Sequence, residues 1–209
     1  MKSSKALEML NEGRIAELKA ELQDEIYQEA LKNKPGAKKR YTAMKKYFSY
    51  IDSAREICKK PCIIDFEGKP HTSFCNSYSL VLTTEPCGNI ELFTDIDRYP
   101  NMSRLVKYDG YEGTINLGPA LAKANSLGYK LKKSEVGLKY KYLFHFNDTY
   151  FKVGLVESAF NIIDDGKDVT LYHAGKNSSL IIQNDIGVCV IMPIRIDELD
   201  ENVVVIELK

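Results

Sequence analysis

Three apolar runs crowd the end of the chain: "DVTLYHAG" at 168–175, "SSLIIQND" at 178–185 and "GVCVIMPIRI" at 187–196. Short polar turns join them, at Gly175-Lys176-Asn177 and Asn184-Asp185-Ile186-Gly187. Connections this short cannot make a crossover, so the runs read as an antiparallel three-stranded meander. The preceding segment, "YFKVGLVESAFNIID" at 150–164, places Val156, Ala159, Phe160 and Ile163 on one helical face, and Gly166 ends it. Before that, "KYKYLFHFND" at 139–148 alternates and reads as a strand. A strand–helix–strand–strand–strand order over 139–196 constrains the fold more than any other feature of the sequence.

A weaker version of that order appears earlier. Residues 38 to 58 read as a helix with Tyr41, Met44, Phe48, Ile51 and Ile57 as its apolar stripe, ended by Pro61. "CIIDFEG", "HTSFC" and "SYSLVLTTE" follow as three strands, and "GNIELFTD" as a candidate fourth. Two copies of one unit, at about 38–84 and 139–196, separated by an insertion, give an α+β fold with helices on one face of the sheet. Within the insertion, 95–113 reads as irregular. "NLGPALAKANSLGYK" reads as a helix capped by Asn116 and stopped at Gly128. "NVVVIEL" near the end is a last strand. At the start, Leu7, Leu10, Ile15, Leu18, Leu22, Ile26 and Ala30 recur at helical spacing, and "NKPG" at 33–36 stops the helix. The expected organisation is therefore an N-terminal helical extension over 1–35 and an α+β domain over 36–209.

The chain has 209 residues, 44% hydrophobic and 28% charged, enough for a sizeable core. No apolar run is long enough to cross a membrane, and the first residues lack a secretory leader's apolar core. A cytoplasmic protein with no membrane partner is expected. The five cysteines, Cys58, Cys62, Cys75, Cys87 and Cys189, read as free thiols. A zinc set of the first four with His71 has the right ligand types but no tight C-x2-C knuckle. Asp164, Asp165 and Asp168 read as a turn rather than a cation loop.

Net charge is zero but unevenly placed. Between residues 28 and 60 ten basic residues face only Glu29, Asp52 and Glu56, whereas the end is acidic, with Asp197, Glu198, Asp200, Glu201 and Glu207. The segment "AKKRYTAMKKYF" could touch phosphates through Lys38, Lys39, Arg40, Lys45 and Lys46. A solvated helix face would carry the same residues. No phosphate loop, dinucleotide fingerprint, zinc-protease helix or nucleophile elbow is present, so neither enzymatic activity nor a cofactor is expected.

The stretch from Tyr150 to Ile196 resembles the closing unit of the bacterial DNA polymerase III β subunit, the sliding-clamp family. The resemblance rests on the helix, the three strands and the ending Met192-Pro193-Ile194-Arg195-Ile196. It covers about a quarter of the chain clearly and reaches the 38–84 unit by element order only. It implies one clamp-like domain, non-specific contact with duplex DNA through a basic helix, and homo-oligomeric assembly. It also implies a site for short hydrophobic peptides of replication proteins, formed by Ser179, Val190, Ile191, Met192 and Pro193. Two departures stand out: the chain has room for a single such domain, and it continues thirteen residues past the Met-Pro ending. Val190, Ile191 and Pro193 equally fit a core strand and its stop. The alternative function is a non-enzymatic interaction module on the same scaffold, self-associating through its N-terminal helix. A thiol- or zinc-dependent enzyme is a third reading.

Overall fold

The computed structural model describes residues 3–32, 34–50, 55–136, 140–196 and 198–209. Asn33 of the predicted helix stop, Ile51 of the predicted stripe, Asp52, Lys139 at the head of the predicted strand and Asp197 lie outside the described residues, as does the Ala30 side chain. Six helices are described: α1 (Ser3–Asn11), α2 (Ile15–Leu31), α3 (Ala37–Tyr47), α4 (Leu117–Ser126), α5 (Lys133–Val136) and α6 (Val153–Ile163). The strands are β1 (Cys62–Phe66), β2 (Lys69–Cys75), β3 (Ser79–Thr83), β4 (Tyr111–Ile115), β5 (Tyr142–Phe146), β6 (Thr149–Lys152), β7 (Val169–His173), β8 (Leu180–Asn184), β9 (Gly187–Ile191) and β10 (Val204–Glu207). The class is α+β.

Seven strands form one antiparallel sheet in the order β1-β2-β3-β9-β8-β7-β4. Its centre is the β3–β9 pair, in register from Ser79↔Ile191 to Thr83↔Gly187. Outward from that seam, each side runs through a meander: β3-β2-β1 after α3, and β9-β8-β7 after α6. The two helices pack against each other. The units are thus arranged about an approximate two-fold axis through the seam. β10, β5 and β6 form a second, three-stranded sheet in which β10 runs parallel to β5.

The sheet has two apolar faces, not the one expected. Leu171, Leu180, Ile182, Val81, Cys189 and Ile191 belong to the core beneath the helices. Leu80, Leu82, Ile181, Val188 and Val190 belong to a second core, closed by Tyr99, Met102 and Val106. The run expected to be irregular, 95–113, therefore covers the outer face with two single-turn 3-10 helices, Ile96–Arg98 and Met102–Arg104. Successive strand residues point to opposite faces, so β3 (SLVLT), buried along its whole length, must be covered twice.

Other differences have local causes. The predicted helix over 4–31 is broken at Glu12–Arg14, where Gly13 takes a positive φ of 70°. The helix expected to reach residue 58 ends at Tyr47, followed by 3-10 turns at Phe48–Tyr50 and Glu56–Cys58. "GNIELFTD" is not a strand; it joins the large sheet's edge region by a bond from the Phe93 amide to the Pro61 carbonyl. Tyr150–Lys152, expected within the helix, belongs to β6, because Asn147 and Asp148, both at positive φ, make a two-residue hairpin there. β4 and α5 were not expected. The cap at Asn116 is present, its side chain accepting from the Gly118 amide.

His173 on β7 is 1% exposed, and neither ring nitrogen has a hydrogen-bond partner among the described residues. Its ring lies edge-on to Phe146 and Phe151, where the small sheet meets the large one. Burial lowers its pKa from the usual value, and a backbone contact with Ser178 offsets part of that. The unfolded chain takes up this proton near pH 6.5 and the folded chain only at lower pH. Stability is therefore fully present above about pH 6.5 and falls as pH drops from there through the folded-state value. His173→Phe should flatten this acid limb, read as urea midpoints at pH 7.5 and 5.5.

Candidate nucleic-acid and partner surfaces

The spacing of α3 decides which of its basic residues reach solvent. Ala37, Arg40, Tyr41, Met44 and Tyr47 are its buried face. Arg40, expected on the basic surface, is thus a core residue, 2% exposed. One terminal nitrogen meets Glu85 Oε1 at 3.2 Å, and the other donates to the carbonyls of Pro35 and Asp164 at 3.1 and 3.2 Å. Asp164 caps the end of α6, so Arg40 ties the start of α3 to the end of α6 and to the chain leaving β3.

The other four basic residues are exposed, on two different sides. Lys45 turns toward α2, 3.4 Å from Asp24 and 4.4 Å from the centre of the Tyr41 ring. Lys39 meets Asp164 at 2.6 Å while its own side chain stays largely in solvent. Lys38 and Lys46 have no acidic partner among the described residues. Lys39 and Lys46 rim a cleft of about 360 Å³ between α3 and α6, together with Thr42, Ser158, Asn161 and Leu131. Lys130 and Lys132, which flank Leu131 in the chain, are both exposed. Sequence reasoning missed these two lysines, although the run Lys130-Leu131-Lys132-Lys133 signals a charged segment.

The second helix of the two-fold pair does not mirror the first. α6 is buried along most of its length, packed against α3, α4, α5 and strands of both sheets. Its accessible groups, Glu157 and Asn161, line a second cleft of about 360 Å³ beside α4. Glu157 accepts from the Tyr129 hydroxyl at 2.7 Å. Burial raises its carboxyl pKa against the opposing bonds from Tyr129 and Asn161 and the charge of Lys39. The helical surface is therefore basic over α3 and mixed toward α4.

The Met-Pro ending marks a transfer between sheets. β9 stops at Ile191, and the Met192 amide donates to the Tyr78 carbonyl at 2.9 Å. Pro193 has no amide hydrogen to continue the ladder. The Ile194 amide then donates to the Tyr150 carbonyl of β6 at 2.9 Å, so the chain crosses to the small sheet. Of the predicted peptide-binding residues, Val190 and Ile191 are buried on opposite faces of β9, Val190 beneath the 93–106 segment and Ile191 beneath the helices. Neither is open to a peptide, because both faces are already covered. Met192 is 46% exposed, Ser179 lies 3.5 Å from its sulfur, and Pro193 is half-buried. Tyr78, also exposed, adjoins them and was not foreseen. The Lys152 amine lies within 6 Å of the Tyr78 and Tyr140 ring centres.

Asp164 and Asp165 build a turn, accepting from the Gly166 and Lys167 amides. All five cysteines are free thiols, and among the described residues no three His, Cys, Asp or Glu side chains gather as a metal set. Nor is any described helix long and apolar enough to cross a membrane. Compared with known proteins, the chain matches no family model and no curated protein.

Proposed function

We propose that this protein is a clamp-like accessory factor that holds duplex DNA non-specifically against its helical layer. The observation carrying this reading is the cleft between α3 and α6, rimmed by exposed Lys39 and Lys46; Lys38 precedes Lys39 in α3, and Lys130 and Lys132 flank the lining residue Leu131 in the chain. Flexible ammonium groups on a helical layer suit phosphates, which carry no sequence information. The two-fold arrangement of helix-plus-meander units supports the same reading. The unpaired edges, β1 and β4, lie at opposite ends of the large sheet, which suits head-to-tail assembly of copies. Tyr78, Met192 and Ser179 are the groups we assign to contact with short apolar peptides of replication proteins.

Fluorescence anisotropy with a linear duplex tests the DNA contact. The logarithm of the association constant should fall linearly with that of salt concentration. Three phosphate contacts per protomer would give a slope of about −2.7, at roughly −0.9 per contact. Two duplexes of unrelated sequence should bind alike.

One observation favours a second reading, a self-associating interaction module. Leu7, Leu10, Ile15, Leu22 and Ile26 of α1 and α2 are all exposed, apolar side chains that the other described residues leave uncovered. On that reading, deleting residues 1–33 converts an oligomer to a monomer in sedimentation velocity while duplex binding is absent from both forms. On the DNA reading, binding survives the deletion, since α3 lies outside it.

A further inference from the structure

Three of the five thiols lie on the outer side of the large sheet. Cys62 on β1 faces Ser73 across the β1–β2 pair, and Cys75 lies two residues further along β2 on the same face. Cys58 ends the 3-10 turn Glu56–Cys58, which packs against β2. Its sulfur lies 3.2 Å from the Ser77 hydroxyl, in the turn that follows Cys75. Cys75 lies two residues before Ser77, so this contact brings the Cys58 sulfur to the end of β2, and Cys58 contributes to the rise of the Cys75 pKa that burial causes. Cys75 alone among the five is partly open to solvent. Cys87 and Cys189 belong to the other core, beneath the helices.

We propose that Cys58 and Cys75 are an oxidation-responsive pair that closes reversibly into a disulfide, bracing the 55–58 segment against the β2–β3 turn. Cys58 sits on a short 3-10 turn and not in a ladder, so it can adjust to its partner without breaking sheet bonds. With hydrogen peroxide as oxidant, the Cys75 thiolate attacks one peroxide oxygen. The O–O bond breaks, and Cys75 becomes a sulfenic acid with release of one water. The Cys58 thiolate then attacks the Cys75 sulfur, forming the S–S bond as the S–O bond breaks. The departing hydroxide takes a proton and leaves as a second water. Two thiols and one peroxide give one disulfide and two waters. Burial keeps Cys75 in its thiol form at neutral pH, so the reaction should quicken toward alkaline pH. The braced turn is the one whose Tyr78 carbonyl holds Met192, which places the pair next to that exposed surface.

The test uses the full native chain, exposed to hydrogen peroxide, capped with iodoacetamide and digested with trypsin. The peptide of residues 56–59 should be found joined to that of residues 60–98, with fragmentation placing the link at Cys75 and leaving Cys62 and Cys87 capped. Dithiothreitol should restore five free thiols. The linked form should melt roughly 6–12 °C higher, as expected for closing a loop of this length in a chain of this size. Cys58→Ser should abolish the link and Cys62→Ser should leave it. Five capped cysteines after peroxide, a link through Cys62, or a link only between chains would each overturn the proposal. The native spectrum alone decides this should a variant fail to fold.

Discussion

Replacing Glu85 with alanine is expected to lower the unfolding free energy by about 3–5 kcal/mol. In a chain of this length that is a fall in melting temperature of roughly 6–20 °C. The cause is the guanidinium left behind. Arg40 is 2% exposed and Glu85 7%, so water cannot replace the lost carboxylate. The Pro35 and Asp164 carbonyls still accept from Arg40, but they carry no full charge to balance it. Changing both partners, Arg40→Met with Glu85→Leu, should recover most of the loss, because no charge then remains buried. Thermal melts of the single and double variants check this. Equal destabilisation by both would mean that side-chain shape, not charge pairing, holds the α3–α6 junction.

Gly187→Ala should cost roughly 3 kcal/mol, at the upper end for overpacking. Gly187 faces Thr83 at one end of the β3–β9 seam. A methyl group there would fall 2.0 Å from the Leu82 carbonyl oxygen and 3.0 Å from the Thr83 Cα. Both are backbone atoms of a paired strand, so no side-chain rotation relieves the clash. On the helix side Ile163 is 3.0 Å away, which leaves no space in that direction. The urea midpoint should therefore fall sharply. A midpoint near that of the native chain would show that the seam can open locally.

Much of this was legible in the sequence because strands and turns there carry strong local signals. β7, β8 and β9 are apolar runs joined by short polar turns, and the Asn116 cap identifies α4. Elements with divided signals were lost. Thr149–Lys152 continues into an apolar run that fits strand or helix equally, and only the Asn147-Asp148 turn separates the two. β4, with Tyr111 and Glu112 exposed at a sheet edge, has no apolar face to declare it.

The candidate site was legible to a similar extent. Lys38, Lys39 and Lys46 lie off the apolar stripe of α3 and are exposed. Arg40 lies four residues before Met44 and one before Tyr41, so its own spacing placed it inside. Val190 and Ile191 were expected as a peptide-binding wall through the clamp resemblance, with 95–113 read as irregular. Once Tyr99, Met102 and Val106 cover the outer face, alternation along β9 buries both residues. The Glu85 partner, 45 residues from Arg40, depends on tertiary folding and left no local trace.

The central claim, that the α3 side of the helical layer meets DNA, is tested most directly by local charge reversal. Lys38→Glu with Lys46→Glu removes two lysines that have no acidic partner among the described residues. Lys107→Glu with Lys176→Glu changes net charge equally at exposed positions on other elements, before β4 and in the β7–β8 turn. Duplex anisotropy at low salt should show at least about tenfold weaker binding for the first pair, since two phosphate contacts are replaced by repulsion, and little change for the second. Equal loss in both pairs would mean that overall charge, not this surface, attracts DNA, and absence of binding by the native chain at low salt would contradict the DNA reading outright.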